Sequence, residues 1–232
     1  MFPHYLQKKL ELLGIDNING IKEIGYLKIY KWLCDIYQGI SHNVLWDLYC
    51  LTYNLPLNSL NSAQKDLIYK KYKNILPTYQ PLKDSVIEGF LNKAMEQAIV
   101  AREFNEVPVG AIIVKDDNII SSTFNHTKTN CDITAHAEIM AIHGAQKKLN
   151  NFRLEDCDLY VTIEPCLMCA GSIINSRIRR LIFGSVEPKS GAVVSQYQVF
   201  NNKMVNHHTE VIGPIDNEYY STLLKNFFIN KR

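Results

Sequence analysis

The chain has 232 residues, of which 47% are apolar and 21% are charged, and its net charge at neutral pH is +2. This length and apolar content suffice for one large or two smaller folded domains with buried cores. The sequence has no run of about 18 consecutive apolar residues, and its first residues lack the basic head, apolar core and cleavage site of a secretion signal. We therefore expect a soluble cytoplasmic protein, and neither export nor membrane insertion.

The cysteines point to the same compartment. There are six, at positions 34, 50, 131, 157, 166 and 169. In a chain of this size without an export signal, they favour reduced thiols over a disulfide scaffold.

The charge changes sign near the segment "ILPTYQPLKD". Residues 1–83 contain ten Lys and six acidic residues, a net charge of +4, whereas residues 84–232 contain 15 basic and 17 acidic residues, a net charge of −2. Two prolines four residues apart also interrupt the helical pattern there. We therefore expect a small all-α domain over residues 1–80 and a second domain over residues 84–232. The mild positive charge of the first permits contact with a polyanion without demonstrating it.

The first part of the chain has the pattern of short helices. Apolar residues recur near helical spacing in "GYLKIYKWLCDIYQ" and "NVLWDLYCLTYNL". We expect these residues to face a core: Leu27, Tyr30, Leu33, Cys34, Val44, Leu45, Leu48 and Leu51.

The second part alternates helices and strands. Its first segment, "SVIEGFLNKAMEQAIVAREFNE", predicts an amphipathic helix with Ser85 and Glu88 in capping-box register. The apolar stripe of this helix comprises Ile87, Leu91, Ala94, Met95 and Ala98. A hairpin of "VPVGAIIV" and "IISSTF" around "KDDN" follows, then helix, strand, helix and strand in "TAHAEIMAIHGAQKKL", "CDLYVTIE", "PCLMCAGSIINSR" and "IRRLIFGS". This order predicts a layered α/β domain with a mixed sheet.

Two cysteines three residues apart follow a proline in "EPCLMC", and a histidine lies 30 residues earlier. Catalytic zinc takes three protein ligands and one open position, which His136, Cys166 and Cys169 match. Residues three apart share a helix face, and thiolates are favoured at the N-terminus of the helix that we expect Pro165 to begin. His136 would begin a neighbouring helix with Thr134 as its cap.

Glu138 makes the pattern that of a reaction centre. Two residues after the histidine, it would stand beside the water in the open position and exchange protons with it. His-x-Glu followed by Pro-Cys-x-x-Cys is the signature of zinc nucleobase deaminases. Taken alone, a Cys-x-x-Cys pair is more often half of a structural zinc site or a redox pair. In a structural site, Cys131 or Cys157 could nominally supply a fourth ligand. Otherwise the four remaining cysteines are most simply buried apolar residues.

The segments "EVPVGAIIV", "DITAHAEIMAI", "LYVTIEPCLMCAGSIINSRI" and "LIFGS" resemble, in order and spacing, the bacterial tRNA-specific adenosine deaminases of the cytidine deaminase superfamily. The resemblance runs from about residue 87 to the C-terminus. It implies a three-layer α/β/α fold with a mixed central sheet, a homodimer, and conversion of adenosine to inosine at the wobble position of a tRNA anticodon. By position, it implies one Zn²⁺ per subunit held by His136, Cys166 and Cys169, with Glu138 as the proton shuttle.

The resemblance also suggests residues that contact RNA. Asn125 matches an asparagine that hydrogen-bonds the flipped base, although an ordinary turn asparagine is the alternative. Phe228 lies where the family has an aromatic residue near the anticodon loop, although core packing would explain it almost as well. Lys231 and Arg232 could meet phosphates, or they are simply solvated.

The segment "VEPKSGAVVSQ" departs from the family pattern. Glu187 and Lys189 match it, but Val194 stands where the family has glycine. Because this loop contacts RNA in relatives, the departure bears on fine specificity.

Residues 1–83 have no counterpart in the usual deaminase. The segment from "LGIDNINGIKEIGYLKIY" to "LTYNLPLNSL" resembles the C-terminal domain of TfoX-like proteins, a small helical module with helix-hairpin-helix character. Two interpretations stay open for it, a nucleic-acid contact through its backbone or lysines, and a packing or dimerisation module. For the whole chain, the alternatives to a tRNA deaminase are a deaminase of free guanine, cytosine or cytidine and a non-catalytic zinc or RNA-binding module.

Overall fold

The computed structural model describes residues 2–37, 39–75, 78–79 and 81–229. The chain divides into two compact units, Met1–Pro81 and Leu82–Arg232. Lys231 and Arg232 lie outside the described residues, as do three residues of "ILPTYQPLKD". In the part of the chain that is described, no helix is both long enough and apolar enough to cross a bilayer.

The N-terminal unit is helical throughout its regular structure. Its helices are α1 (His4–Glu11), α2 (Ile18–Ile24), α3 (Tyr26–Ile36), α4 (His42–Thr52) and α5 (Ser62–Lys73). The predicted core faces are confirmed in α3 and α4, where five of the eight named residues are buried and the other three are partly buried against the same cluster.

The second unit begins with α6 (Asp84–Glu103), and the predicted apolar stripe of this helix is buried. The predicted capping box is wrong, because Lys83 occupies the N-cap and makes no side-chain capping bond. Ser85 is therefore already the second helical residue, where its hydroxyl cannot serve as the cap.

A five-stranded mixed sheet forms the centre of this unit. The strands are β1 (Gly110–Lys115), β2 (Asn118–Phe124), β3 (Asp158–Ile163), β4 (Arg180–Ser185) and β5 (Glu210–Ile212), in the order β2-β1-β3-β4-β5. Strand β1 runs antiparallel to β2 and β3, whereas β3, β4 and β5 are parallel. The predicted hairpin is confirmed, and its two turn residues, Asp116 and Asp117, have φ angles of 48° and 58°, as a type I′ turn requires.

Helices cover both faces of the sheet. The side chain of Tyr160 in β3 packs with α6 and with α9 (Asn217–Ile229). Its neighbours Leu159 and Val161 face the opposite layer, formed by α7 (Ala137–Leu149) and α8 (Leu167–Asn175). This alternation along a central strand gives three layers, which confirms the predicted α/β/α fold. Strand β5 and helix α9 were not among the predicted elements.

Candidate active site

Helix α7 carries the histidine of the predicted metal site at its first turn. His136 is the N-cap and Ala137 is the first helical residue. The predicted cap, Thr134, is wrong, because its N–H and hydroxyl both donate to Asp132 Oδ1, at 2.8 and 2.7 Å. The N–H of Ala137 donates instead to Asn125 Oδ1, at 2.8 Å, so a residue from the end of the hairpin caps this helix.

Helix α8 places the two cysteines at its N-terminus. It begins at Leu167 and not at the predicted Pro165, because Cys166 is extended, with ψ at 174°, and forms the N-cap. The N-terminal N–H groups and the helix dipole favour a negative sulfur at this end of the helix. The pKa of Cys166 is lowered to about 4, chiefly by its hydrogen bond with Cys169, and that bond together with burial raises the pKa of Cys169.

The three predicted ligands come together. His136 Nδ1 lies 3.7 Å from Cys166 Sγ and 3.5 Å from Cys169 Sγ, and the two sulfurs are 3.6 Å apart. A tetrahedral zinc site with the usual bond lengths separates two sulfurs by ~3.8 Å, and a sulfur from a nitrogen by ~3.6 Å. These donors therefore fit Zn²⁺ as they stand.

The other cysteines lie apart from this cluster, which contains three donor residues in the described part of the chain. Cys131 is exposed, with its sulfur directed at the Lys128 carbonyl, so its predicted burial is wrong. Cys157 is buried in the core beside β3, and Cys50 is also buried, whereas Cys34 is only partly so. A three-donor set leaves the fourth position of a catalytic site open.

Glu138 lies in the first turn of α7, next to the cluster but outside it. Its side chain is only 3% exposed, and this burial raises the pKa of its carboxyl. The Cys169 side chain hydrogen-bonds it. A buried carboxyl with a raised pKa beside an open coordination position is suited to accept and return protons.

His136, Glu138 and Cys166 border a cavity of about 240 Å³. Asn125 and Phe228 border it as well, so the predicted RNA-contacting residues lie in the same place as His136, Glu138 and Cys166. Since Asn125 Oδ1 accepts the Ala137 N–H, its amide NH₂ group is the part left for a ligand. Phe228 is 51% exposed at this cavity.

Glu164 also lies at the site, although it was not among the predicted site residues. It follows β3 directly, is 2% exposed, and borders the cavity. A carboxylate between a buried strand and the Pro-Cys-x-x-Cys motif was the signal available, but its partners lie 23 to 31 residues away in the loop after β4.

That loop also contains the departure at Val194. The φ angle of Val194 is not positive, so its backbone conformation does not require glycine. Its N–H donates to Glu164 Oε1 at 2.8 Å, as the backbone of any residue except proline can, and its side chain is 39% exposed.

A model of the MafB19-like deaminase family matches residues 88–232, more than half of the chain. The chain belongs to this deaminase family. Among its relatives, the tRNA-specific adenosine deaminase of Haemophilus influenzae is 42% identical over 146 residues, which cover 62% of this chain and 84% of the relative. The tRNA-specific adenosine deaminase of Aquifex aeolicus is 44% identical over 146 residues, covering 61% and 93%.

Two solved structures share the fold of the second unit of this chain. A chain from a study of A-to-I editing by tRNA:A34 deaminases at the wobble position is 43% identical, with a TM-score of 0.53, and the match covers 54% of this chain and 96% of that one. A guanine deaminase from Nitrosomonas europaea shares the fold at 20% identity, with a TM-score of 0.52 and coverage of 59% and 81%. Since the family match begins at residue 88, the resemblance of residues 1–83 to TfoX-like proteins stays a prediction.

Proposed function

We propose that this chain is a zinc-dependent tRNA adenosine deaminase that converts the wobble adenosine of an anticodon to inosine. The observation that carries the proposal is the set His136, Cys166 and Cys169, whose donor atoms lie 3.5–3.7 Å apart with buried Glu138 beside them. Relatives named tRNA-specific adenosine deaminases, at 42% and 44% identity, support the substrate.

The reaction adds water to the carbon that bears the amino group of adenine and releases ammonia. Zn²⁺ held by the three donors would act as the Lewis acid that makes water acidic enough to attack at neutral pH. Glu138 takes the proton that water loses and delivers it to the adjacent ring nitrogen. It then takes the second proton of the same water and transfers it to the departing amine, so adenosine and water yield inosine and ammonia.

Two further residues suit recognition of a base that has left its stack. The NH₂ group of Asn125 can donate to an acceptor on the base, since its oxygen is already held by α7. Phe228, half exposed at the cavity, offers a ring on which a loop nucleotide can stack. An anticodon loop is a suitable substrate because its bases can be splayed out at lower cost than those of a duplex.

The direct test is turnover by the purified chain of an anticodon stem-loop that carries adenosine at the wobble position. We expect inosine at that position and none in a stem-loop with guanosine there. Turnover of free guanine, cytosine or cytidine without turnover of RNA would contradict the substrate assignment. Bound zinc without turnover of any of these substrates would indicate a non-catalytic module.

The companion test is the matched pair Glu138→Gln and Glu138→Ala. Both should keep one zinc per chain, because Glu138 is not a ligand, and both should lose at least about 100-fold in turnover, the lower end of what general acid–base catalysis contributes. Metal analysis and nucleoside analysis give the two readouts. Unchanged turnover in either variant would contradict the mechanism.

A homodimer and a cytoplasmic location complete the proposal. The homodimer follows from the resemblance to bacterial tRNA-specific adenosine deaminases, and Ile133, which is 84% exposed in the loop between Asn125 and His136, is a residue that a second subunit could cover. Light scattering tests this point, and a monomer at micromolar concentration would contradict it. Action on tRNA would place the enzyme in the cytoplasm.

A further inference from the structure

One wall of the cavity belongs to the loop that follows β4, residues 187–195, hereafter the post-β4 loop. Glu187 and Ser190 of this loop border the cavity. Glu164, which directly follows β3, also borders the cavity. The loop has little regular structure, so its conformation depends on what holds it.

The Glu164 carboxylate holds the post-β4 loop through both of its oxygens. Oε1 accepts the N–H groups of Val193, Val194 and Ser195, at 2.9, 2.8 and 2.9 Å. Oε2 accepts the N–H of Glu187, at 2.9 Å, and the hydroxyl of Ser195. Five donors from the two ends of one loop thus converge on a single side chain.

Gly191 leaves the space that this arrangement needs. A Cβ at this position would lie 2.3 Å from the Glu164 carboxyl carbon and 2.6 Å from the Glu187 carbonyl oxygen. The loop is also tied to the metal-binding turn, because Gly191 forms a bridge with Cys166 and the Ala192 N–H donates to the Pro165 carbonyl at 2.8 Å. The backbone of the post-β4 loop is therefore hydrogen-bonded directly to the turn that carries Cys166.

The same contacts exclude a direct chemical role for Glu164. A carboxylate offers about four lone-pair sites, and five donors already occupy them. The group has no free acceptor for a substrate proton or a metal ion.

We propose that Glu164 is a positioning residue for the RNA substrate, and that it sets RNA affinity by fixing the post-β4 loop as one wall of the cavity. This inference rests on the proposed function. The two buried carboxyl groups at the cavity then have different roles. Glu138 exchanges protons, and Glu164 holds the loop against which the RNA binds.

Glu164→Gln tests this role because it preserves size and replaces one oxygen by a donor. An NH₂ group at the Oε2 position would face the Glu187 N–H, so one end of the loop loses its attachment. We expect the KM for the stem-loop to rise about 10-fold, the value of one hydrogen bond to a charged group. The value of kcat should stay within about 3-fold and the zinc content at one per chain.

Asp158→Asn is the matched control. Asp158 is a buried carboxylate at the other end of β3, where it pairs with Arg179 and Arg180 at 2.7 and 3.1 Å. This variant should lower the melting temperature without changing the KM. Gly191→Ala, which crowds the carboxylate from the loop side, should raise the KM as Glu164→Gln does.

Two readouts do not depend on turnover. Amide hydrogen exchange at residues 193–195 should accelerate in Glu164→Gln and stay unchanged in Asp158→Asn. In the inactive Glu138→Ala background, adding Glu164→Gln should weaken binding of the stem-loop by the same factor of about 10.

The outcomes separate the two proposals. RNA binding without turnover by the wild-type chain contradicts the proposed function. The role of Glu164 is then decided by the affinity of Glu164→Gln for the stem-loop. Unchanged RNA affinity and KM in Glu164→Gln overturn the positioning role, whatever the exchange rates. So does a fall in kcat that merely matches lost zinc, since Glu164 would then only support the metal site.

Discussion

At the scale of single residues, Asn125 illustrates how one side chain serves both the fold and the proposed chemistry. Its oxygen caps α7 by accepting the Ala137 N–H. Because only the oxygen end of the amide can accept a hydrogen bond, this contact leaves the NH₂ end to face the cavity. The cap also orients the turn that carries His136 and Glu138. A pocket residue is thus positioned by the helix that it caps.

Asn125→Asp should separate the two roles. Aspartate keeps an oxygen acceptor for the Ala137 N–H but has no NH₂ donor for a base, whereas Asn125→Ala removes both groups. We expect both variants to lose roughly 10-fold to 100-fold in kcat/KM, the value of one hydrogen bond of about 1–3 kcal/mol, and only Asn125→Ala to lose stability as well. Denaturant unfolding and steady-state kinetics provide the two measurements. Wild-type kinetics in Asn125→Asp would show that the amide does not contact the substrate.

The metal site also yields a prediction at this scale. Cys169→Ala removes one of three donors that lie within 3.7 Å of one another, so bound zinc should fall below one per chain after dialysis. Cys131→Ala, which removes an exposed thiol outside the cluster, should retain it. Metal analysis of the two purified variants distinguishes them, and equal zinc in both would refute the assigned ligand set.

At the scale of elements, another buried carboxylate, that of Glu106, organises the turn that follows β2. Glu106 is fully buried, and its oxygens accept the N–H groups of Lys128 and Thr129, at 2.9 and 2.7 Å, and the Thr127 hydroxyl, at 3.1 Å. Thr127 borders the cavity. Burial alone would raise the pKa of Glu106, but these hydrogen bonds outweigh it and lower the pKa.

Glu106→Gln should therefore destabilise the protein in a pH-dependent way. A carboxyl with a lowered folded-state pKa contributes stability above its unfolded value of about 4.3 and loses that contribution as pH falls through the folded value. We expect the variant to be less stable by about 1.5–3 kcal/mol at pH 7, with the difference shrinking below about pH 4. Urea unfolding at several pH values measures it, with Glu103→Gln, an exposed neighbour, as the control. A difference that does not vary with pH would contradict the prediction.

Packing of α6 on the sheet gives another matched pair. A Cβ at Gly110 would lie 1.9 Å from the Ala94 carbonyl oxygen, whereas one at Gly89, on the exposed side of α6, would meet nothing within 4 Å. Gly110→Ala should cost about 1–3 kcal/mol through overpacking, and Gly89→Ala should stabilise the helix by up to about 1 kcal/mol. Thermal unfolding of the two variants should shift in opposite directions, and a shift in the same direction would contradict the packing argument.

At the scale of the whole molecule, the two units have separate cores. The hydrophobic cluster of the N-terminal unit comprises residues up to 72, and the two clusters of the second unit begin at Leu82. The donors, Glu138 and the cavity all belong to the second unit. A chain of residues 82–232 should therefore fold cooperatively and bind one zinc.

The same truncation locates the activity. We expect residues 82–232 to deaminate the stem-loop within about 3-fold of the full chain, since the proposed reaction uses no group from the first unit. Comparing the two chains across salt concentrations also tests the basic first unit, because a phosphate contact would make the affinity of the full chain fall more steeply with salt. Loss of zinc or of turnover on truncation would contradict the division into domains proposed here.

Local patterns in the sequence determined much of this protein. Periodicity of 3.6 and 2 residues was enough for α3, α4, α6 and the hairpin, because each depends on neighbours within a few residues. The two short spacings, His136 to Glu138 and Cys166 to Cys169, predicted the chemistry of the candidate site for the same reason, because residues within one helical turn are placed by local geometry.

Only the tertiary structure showed which residue caps α7 and which side chain holds the loop that forms one wall of the cavity. The cap of α7 comes from Asn125, 12 residues before the residue it binds, and the wall is held by Glu164 through partners up to 31 residues away. Strand β5 and helix α9 pack onto a sheet formed by earlier elements. A hydrogen bond between distant segments leaves no periodic trace in either one, so a buried Glu that closes a loop cannot be told from a solvated one until the loop is in place.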